Sequence, residues 1–245
     1  MSKILIIGGG AMGSAFSIPC LENNNLVTIT EPYNKIFIKN LASKKKFHSS
    51  LKLNLPKKLK FENYSKNIFK RRYDLIVIAL SLAGIDFIGK ELKNLSIKTP
   101  LLVLTKGLKY DKKKKKLLTI SNLLKDNYNV GNVSVLKGPC LAKELAKKNK
   151  TSVVMANKNI KIVKWIGKLI STKYYFTEFS RDVVGIEICS AIKNIYAMVI
   201  GIGQNLNAES DLFQKSVNEM KFLIKHFKGD TSTILGLAGI GDLYV

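Results

Sequence analysis

A chain of 245 residues with 46% hydrophobic and 24% charged content can bury one large core or two smaller ones, which excludes a disordered protein. Three scattered cysteines, Cys20, Cys140 and Cys189, form no CxxC pair and exclude a disulfide framework, so a reducing, cytoplasmic setting is expected. The net charge of +24 is supplied by lysine, with Arg71, Arg72 and Arg181 the sole arginines, and the lysine runs at 44–46 and from Asp111 lack the interleaved aromatics of a stacking platform. These runs read as solvated surface, with no dedicated nucleic-acid site.

The first predicted strand is KILIIG, from Lys3, which is too short for a signal sequence and leads straight into glycines. A helix is predicted from Ala11 to Asn23, followed by a second strand, LVTITE, over 26–31. Further apolar runs predict strands at 74–80, 100–105, 133–136 and 151–156, and the pattern changes after Tyr174–Phe176. Lysine-rich helical stretches separate them. Continuous Val/Ile/Leu runs divided by helices predict an α/β fold whose parallel sheet is covered on both faces, a Rossmann-type doubly wound arrangement. From Arg181 onward only helical patterns remain, so a dinucleotide-binding domain is expected over 1–182 and an all-α domain over 183–245.

The glycines after the first strand have the spacing Gly8-x-Gly10-x-x-Gly13, with Ala11 and Met12 inside the turn. Alone that spacing is weak evidence, but here it follows a strand and opens a helix, which is the context a dinucleotide requires. Gly8 permits the tight turn, Gly10 lets backbone approach a pyrophosphate, and Gly13 allows close helix–strand packing. The anion would rest on the helix N-terminus, where N–H groups are unpaired. Glu31 ends the second strand 18 residues after Gly13, placed to bind ribose hydroxyls and to repel a 2′-phosphate. NAD is therefore expected over NADP.

The stretch GIEICSAIKNIYAMVIGIG, Gly185–Gly203, is almost entirely apolar, with Glu187 and Lys193 its only charges and Asn194 beside the lysine. Its length just suffices for a bilayer, but charges at its middle would be costly, and a core helix of a soluble domain is the better reading. Lys193 has no acid three or four residues away. A lysine buried in such a helix has its charged form disfavoured, which suits a proton donor and acceptor. The plainer alternative is a lysine whose stem lies on apolar surface while its amine reaches water.

Taken in order, the motifs resemble the NAD(P)-dependent glycerol-3-phosphate dehydrogenases. GGGAMGSAF resembles that family's cofactor turn, LTKGL (104–108) its first lysine motif, LKGPCLAKELA (136–146) its Gly-Pro-Ser-Phe-Ala-x-Glu segment, DVVGIEICSAIKNIYAMVIGI (182–202) its Lys-Asn helix, and ILGLAGIGDL (234–243) its Gly-Leu-Gly-Asp-Leu motif. The resemblance implies hydride transfer between a nicotinamide cofactor and carbon 2 of glycerol 3-phosphate or dihydroxyacetone phosphate, a small phosphorylated substrate, in glycerophospholipid metabolism. A homodimer is compatible with it. It implies Lys193 as proton acceptor and donor, Lys106 in contact with substrate and cofactor, Gly138, Cys140 and Asp242 lining the substrate, and Ala142 and Pro32 beside the cofactor.

Lys106 follows an apolar strand and can add positive charge near an oxyanion or phosphate, and Asp242 can pair with Lys193. Three departures from the family pattern stand out. Cys140 replaces Ser or Thr, KKNKTS (147–152) replaces Gly-x-Pro-Thr, and the chain stops at GDLYV, before a Thr-Cys pair and a Ser-Arg-Asn motif, as a C-terminal truncation of the helical domain would. Another hydroxyacid dehydrogenase of the wider Rossmann-plus-helical group, and an NAD-binding module without catalysis, are the alternative functions.

Overall fold

The computed structural model describes residues 1–43, 46–93 and 99–244; Lys44 and Lys45 of the first lysine run lie outside the described residues. In chain order the elements are β1 (Lys3–Ile7), α1 (Ala11–Glu22), β2 (Leu26–Glu31), α2 (Lys35–Leu41), β3 (Phe47–His48), β4 (Leu53–Asn54), β5 (Lys60–Asn63), β6 (Leu75–Ile78), α3 (Ile85–Lys93), β7 (Leu101–Val103), β8 (Leu108–Asp111), β9 (Lys116–Thr119), α4 (Ile120–Tyr128), β10 (Val133–Lys137), α5 (Ala142–Ala146), β11 (Thr151–Ala156), α6 (Ile160–Ile170), β12 (Tyr175–Ser180), α7 (Val183–Ile202), α8 (Ala208–His226) and α9 (Asp242–Tyr244). Eight strands form one sheet in the order β12-β11-β10-β7-β6-β1-β2-β5. The six strands from the β5 edge inward, β5-β2-β1-β6-β7-β10, have the doubly wound order of a dinucleotide-binding fold, whose chain reverses direction of travel between β1 and β6.

Alternation within the strands explains why both faces are covered. Leu5 and Ile7 of β1, with Ile76 and Ile78 of β6, enter one core together with Ile88 of α3, Leu124 of α4, Ile186 of α7 and Met220 of α8. Ile4 and Ile6, with Leu75 and Val77, enter the other core with Phe16 of α1, Ile38 of α2, Leu145 of α5 and Ile166 of α6. Every second residue points the same way along a strand, so a run that is apolar throughout needs two coats of helices. Each of the four fully buried residues Ile4–Ile7 stabilises the fold by about 1.5–3 kcal/mol relative to exposure.

The sheet corrects one expectation: it is mixed, because β11 runs antiparallel to β10, while β12 is parallel to β11. The lysine run after Asp111 also carries more order than plain surface. It forms the tip of the β8–β9 hairpin, where Asp111 Oδ1 accepts from the N–H groups of Lys113 at 2.9 Å and Lys114 at 3.1 Å. KKNKTS still makes a turn: α5 ends, Lys148 takes φ 63°, and β11 begins at Thr151.

α7 starts on a side-chain cap, with Asp182 Oδ1 accepting from Gly185 N–H at 2.9 Å. The same carboxylate accepts from Thr233 Oγ1 at 2.6 Å and Asp230 N–H at 3.0 Å, tying the segment before Asp242 to the head of α7. α7 is long and apolar enough to cross a membrane. Its first half is buried against the sheet and α8, with Ile186, Ile188, Cys189 and Ile192 in the core, whereas Ile195, Met198 and Ile202 are exposed.

Candidate active site

All the singled-out residues of the sheet sit at the carboxyl ends of parallel strands: Gly8 after β1, Glu31 at the end of β2, Lys106 after β7 and Gly138 after β10. In doubly wound sheets, ligands bind outside these ends, at the point where strand order reverses. Here that point lies between Gly8 and Ala79, just past β6.

The glycine turn is built for close approach. Gly8 has φ +115°, and its N–H donates to the Thr30 carbonyl at 2.8 Å. A Cβ at Gly8 would overlap the Ala79 carbonyl, and one at Gly13 would overlap the Gly8 carbonyl, so helix and strand meet backbone to backbone. Gly10 differs: a Cβ there would meet nothing within 4 Å. It is the N-cap of α1, and no side chain caps that end. The first N–H groups of α1, those of Ala11 and Met12 included, therefore have neither an intrahelical acceptor nor a capping oxygen. An open N-terminus under a helix of 12 residues suits a pyrophosphate.

Glu31 faces this turn. Its Oε2 accepts from Gly9 N–H at 2.9 Å and its Oε1 from Tyr33 N–H at 3.0 Å, with Pro32 between them, partly exposed. An ionised carboxylate has about four lone-pair sites, so acceptor capacity remains for ribose hydroxyls. On the other side His48, which the sequence reading missed, braces the turn. Its Nδ1 accepts from Leu51 N–H at 3.3 Å, which leaves Nε2–H to donate to the Gly9 carbonyl at 3.2 Å. Ser14 Oγ donates to the same carbonyl at 2.9 Å. Ala142 opens α5, which packs on α1, and it borders the same core as Ala11, Met12 and Cys140.

Asp242 is the centre of the charged cluster. Its side chain is 1% exposed, and it is held by two lysines from distant parts of the chain. Lys106 Nζ lies 3.2 Å from Oδ2, and Lys193 Nζ is ion-paired with Oδ1. Lys193 also donates to the Asp242 carbonyl at 3.2 Å. An ammonium has three hydrogens, so Lys193 keeps one that Asp242 does not use. The expected pairing of Lys193 with Asp242 is thus present, and Lys106 joins it. The expected desolvation is incomplete, because the Lys193 side chain remains 17% exposed and faces a carboxylate.

Gly138 takes φ +122° after β10 and leads to Cys140, a partly buried thiol pushed up to about 11 by burial, against which Tyr175 and Lys106 act in the opposite sense. Cys140 is therefore a neutral thiol at physiological pH.

Two further buried charges were given no role by the sequence. Lys137, the last residue of β10, is 2% exposed and donates to the Thr105 carbonyl and, at 3.4 Å, to that of Leu104. Glu187 of α7 is equally buried and accepts from Ser121 N–H at 3.1 Å and from Ser121 Oγ. The available signal was slight: a lysine closing the apolar run VSVL and an acid inside an apolar helix. Among the described residues no group of three or more His, Cys, Asp or Glu could hold a metal ion.

Comparison with known proteins agrees with this arrangement. Residues 3–163 match the family model of the NAD-dependent glycerol-3-phosphate dehydrogenase N-terminus, and residues 182–245 match that of its C-terminus. A glycerol-3-phosphate dehydrogenase [NAD(P)+] of Clostridium botulinum is 30% identical over 251 residues, covering 100% of this chain and 74% of the relative. An NADP(+)-dependent glycerol-3-phosphate dehydrogenase of Archaeoglobus fulgidus is 29% identical, covering 98% and 74%. The crystal structure of glycerol-3-phosphate dehydrogenase from Coxiella burnetii superposes with a TM-score of 0.85 at 25% identity, covering 99% of this chain and 74% of that one. Sequence and fold agree over both halves, and the chain belongs to the NAD-dependent glycerol-3-phosphate dehydrogenase family.

Proposed function

We propose that the chain interconverts dihydroxyacetone phosphate and sn-glycerol 3-phosphate with NAD(P)H, a step that feeds glycerophospholipid synthesis, in a cytoplasmic setting consistent with its three free cysteines. Residues 1–182 are read as the cofactor unit and 183–245 as the helical substrate unit. The observation that carries the reading is the Lys106–Asp242–Lys193 cluster at the carboxyl edge of a doubly wound sheet. Gly8, Gly10, Ala11, Met12 and Gly13 would hold the pyrophosphate, Glu31 the ribose, and Pro32 and Ala142 would flank the cofactor. When bound, the reduced nicotinamide supplies a hydride to carbon 2 of the ketone.

Reduction builds negative charge on the carbonyl oxygen, and Lys193 gives that oxygen a proton. In the reverse direction the Lys193 amine takes the hydroxyl proton. Asp242 takes up two of the ammonium's hydrogens, through Oδ1 and its own carbonyl, which aims the third at substrate. Lys106, 38% exposed, gives substrate oxygens and the cofactor a fixed cation. Gly138 and Cys140 wall the substrate side.

Glu31 favours NADH, since a carboxylate repels a 2′-phosphate. The test is the loss of NADH absorbance on adding dihydroxyacetone phosphate. Dependence of turnover on the phosphate compound supports the reading. Turnover of a 2-keto carboxylate with indifference to the phosphate compound would contradict it.

A further inference from the structure

We propose that Lys137 is a positioning residue that keeps Lys106 seated on Asp242 by anchoring the carbonyls of Leu104 and Thr105. This rests on the role given to Lys106 above. Lys137 is 2% exposed, so it is sealed from substrate and acts only through its neighbours.

The backbone it grips needs an anchor. The parallel pairing of β7 with β10 ends at Val103↔Val135, and the ladder toward β6 ends with Leu104 N–H donating to the Ile78 carbonyl at 2.9 Å. Beyond this point the sheet no longer fixes the chain. Thr105 is held instead by side chains: its own Oγ1 donates to the Leu80 carbonyl at 2.7 Å, and Lys137 Nζ reaches its carbonyl from β10. The next residue is Lys106, 3.2 Å from Asp242, and the one after is Gly107 at φ +123°. Lys106 is thus bracketed by a clamped residue and a conformationally permissive one. Loss of the clamp frees the segment on the side that carries the amine.

A buried ammonium is costly unless its hydrogens and charge are answered. Two carbonyls answer the hydrogens. From α7, Glu187 answers the charge, and from the β7–β8 connection Lys106 opposes it. Burial, with Lys106 adding to it and Glu187 resisting, brings Lys137 down to about 8. The two lysines therefore sense each other, although only Lys106 is open to solvent. A residue serving solely as core filler would need no amine at this position, and Met would serve as well.

The test is competitive acetylation of the 245-residue chain with acetic anhydride, resolved lysine by lysine by mass spectrometry. In Lys137→Met, labelling of Lys106 should rise severalfold, toward its value in Asp242→Asn, where the amine has lost its acceptor. Lys148 and Lys215, paired with Glu22 and Asp211 in other parts of the chain, should label as before. Unchanged labelling of Lys106 overturns the proposal, as does a parallel rise at Lys148 and Lys215, which would signal general loosening. If Lys137→Met does not fold, Lys137→Gln, which keeps a donor on a shorter arm, should give an intermediate rise at Lys106, and no rise overturns the proposal.

Kinetics supply a second readout. Lys137→Met should lower kcat/KM when Lys106 is present and leave it unchanged in a Lys106→Met background. Equal losses in both backgrounds overturn the proposal. A Lys106→Met change that leaves turnover intact would defeat the proposed function of Lys106, while the labelling still decides whether Lys137 seats it.

Discussion

Asp242→Asn keeps the shape of the side chain and removes the charge that two lysines share. At 3.2 Å from Lys106, the lost attraction is about 5 kcal/mol at an effective dielectric of ~20. It must be discounted because Lys106 is 38% exposed and solvent screens it. Lys193 is 17% exposed and loses more. Removing the charge also removes the cost of burying it, so the net effect is that of leaving cations unpaired beside a buried site, about 3–5 kcal/mol. For a chain of this size the fall in Tm is on the order of 6–20 °C. Turnover should fall by at least ~100-fold, because the proton donor is no longer aimed. Thermal unfolding followed by dye fluorescence, together with NADH oxidation on dihydroxyacetone phosphate, measures both. A Tm within about 2 °C of the parent and turnover within about threefold would refute the view that Asp242 holds this cluster together.

Glu31→Ser should narrow the preference for NADH over NADPH by about tenfold, the worth of ~1.4 kcal/mol of relieved repulsion, as read by fluorescence titration of both cofactors. An unchanged ratio would mean that the Glu31 carboxylate serves only Gly9 and Tyr33. Gly13→Ala places a methyl group against the Gly8 carbonyl and should cost about 1–3 kcal/mol together with NADH affinity; denaturant unfolding and titration check both. Lys137 gives a pH signature. Its amine titrates at about 8 in the folded chain against 10.5 ordinarily, so the unfolded chain binds more protons between those values and stability rises with pH across that window. Relative to Lys137→Met, the parent should gain up to roughly 3 kcal/mol from below pH 8 to above pH 10.5, measured by denaturant unfolding as a function of pH.

The sequence pattern shows some of these features plainly and others not at all. β1 and β6 are legible because strands buried on both faces are apolar at every residue, and the glycine turn is legible because its conformations exclude side chains. β5 is not: it is a sheet edge, part exposed along KFEN, and has no apolar run to read. The β8–β9 hairpin is hidden because its tip is made of lysines turned by Asp111 rather than by Gly or Pro. The reversed direction of β11 leaves no trace in periodicity, which is the same for either sense. At the site, Lys193 and Asp242 are 49 residues apart in the chain and meet because Asp182 ties the 230–233 segment to the head of α7. Lys137 escapes notice because a lysine at the end of a strand ordinarily points to water; only the fold reveals that α7 covers it.

The central claim is that Lys193 moves the proton. Lys193→Met is the direct measurement, because Met is apolar, of similar length and a good helix former. Asp242 keeps Lys106 as a partner in this variant, so Tm should hold or rise, and NADH should bind as before, since Gly8, Gly10, Gly13 and Glu31 lie at the ends of β1 and β2. Turnover of dihydroxyacetone phosphate should fall by about 10²–10⁴-fold, and Lys193→Arg should not restore it, because a guanidinium does not give up its proton. Near-parental turnover in Lys193→Met, with the fold and NADH binding intact, would show that this lysine is structural and would contradict the account.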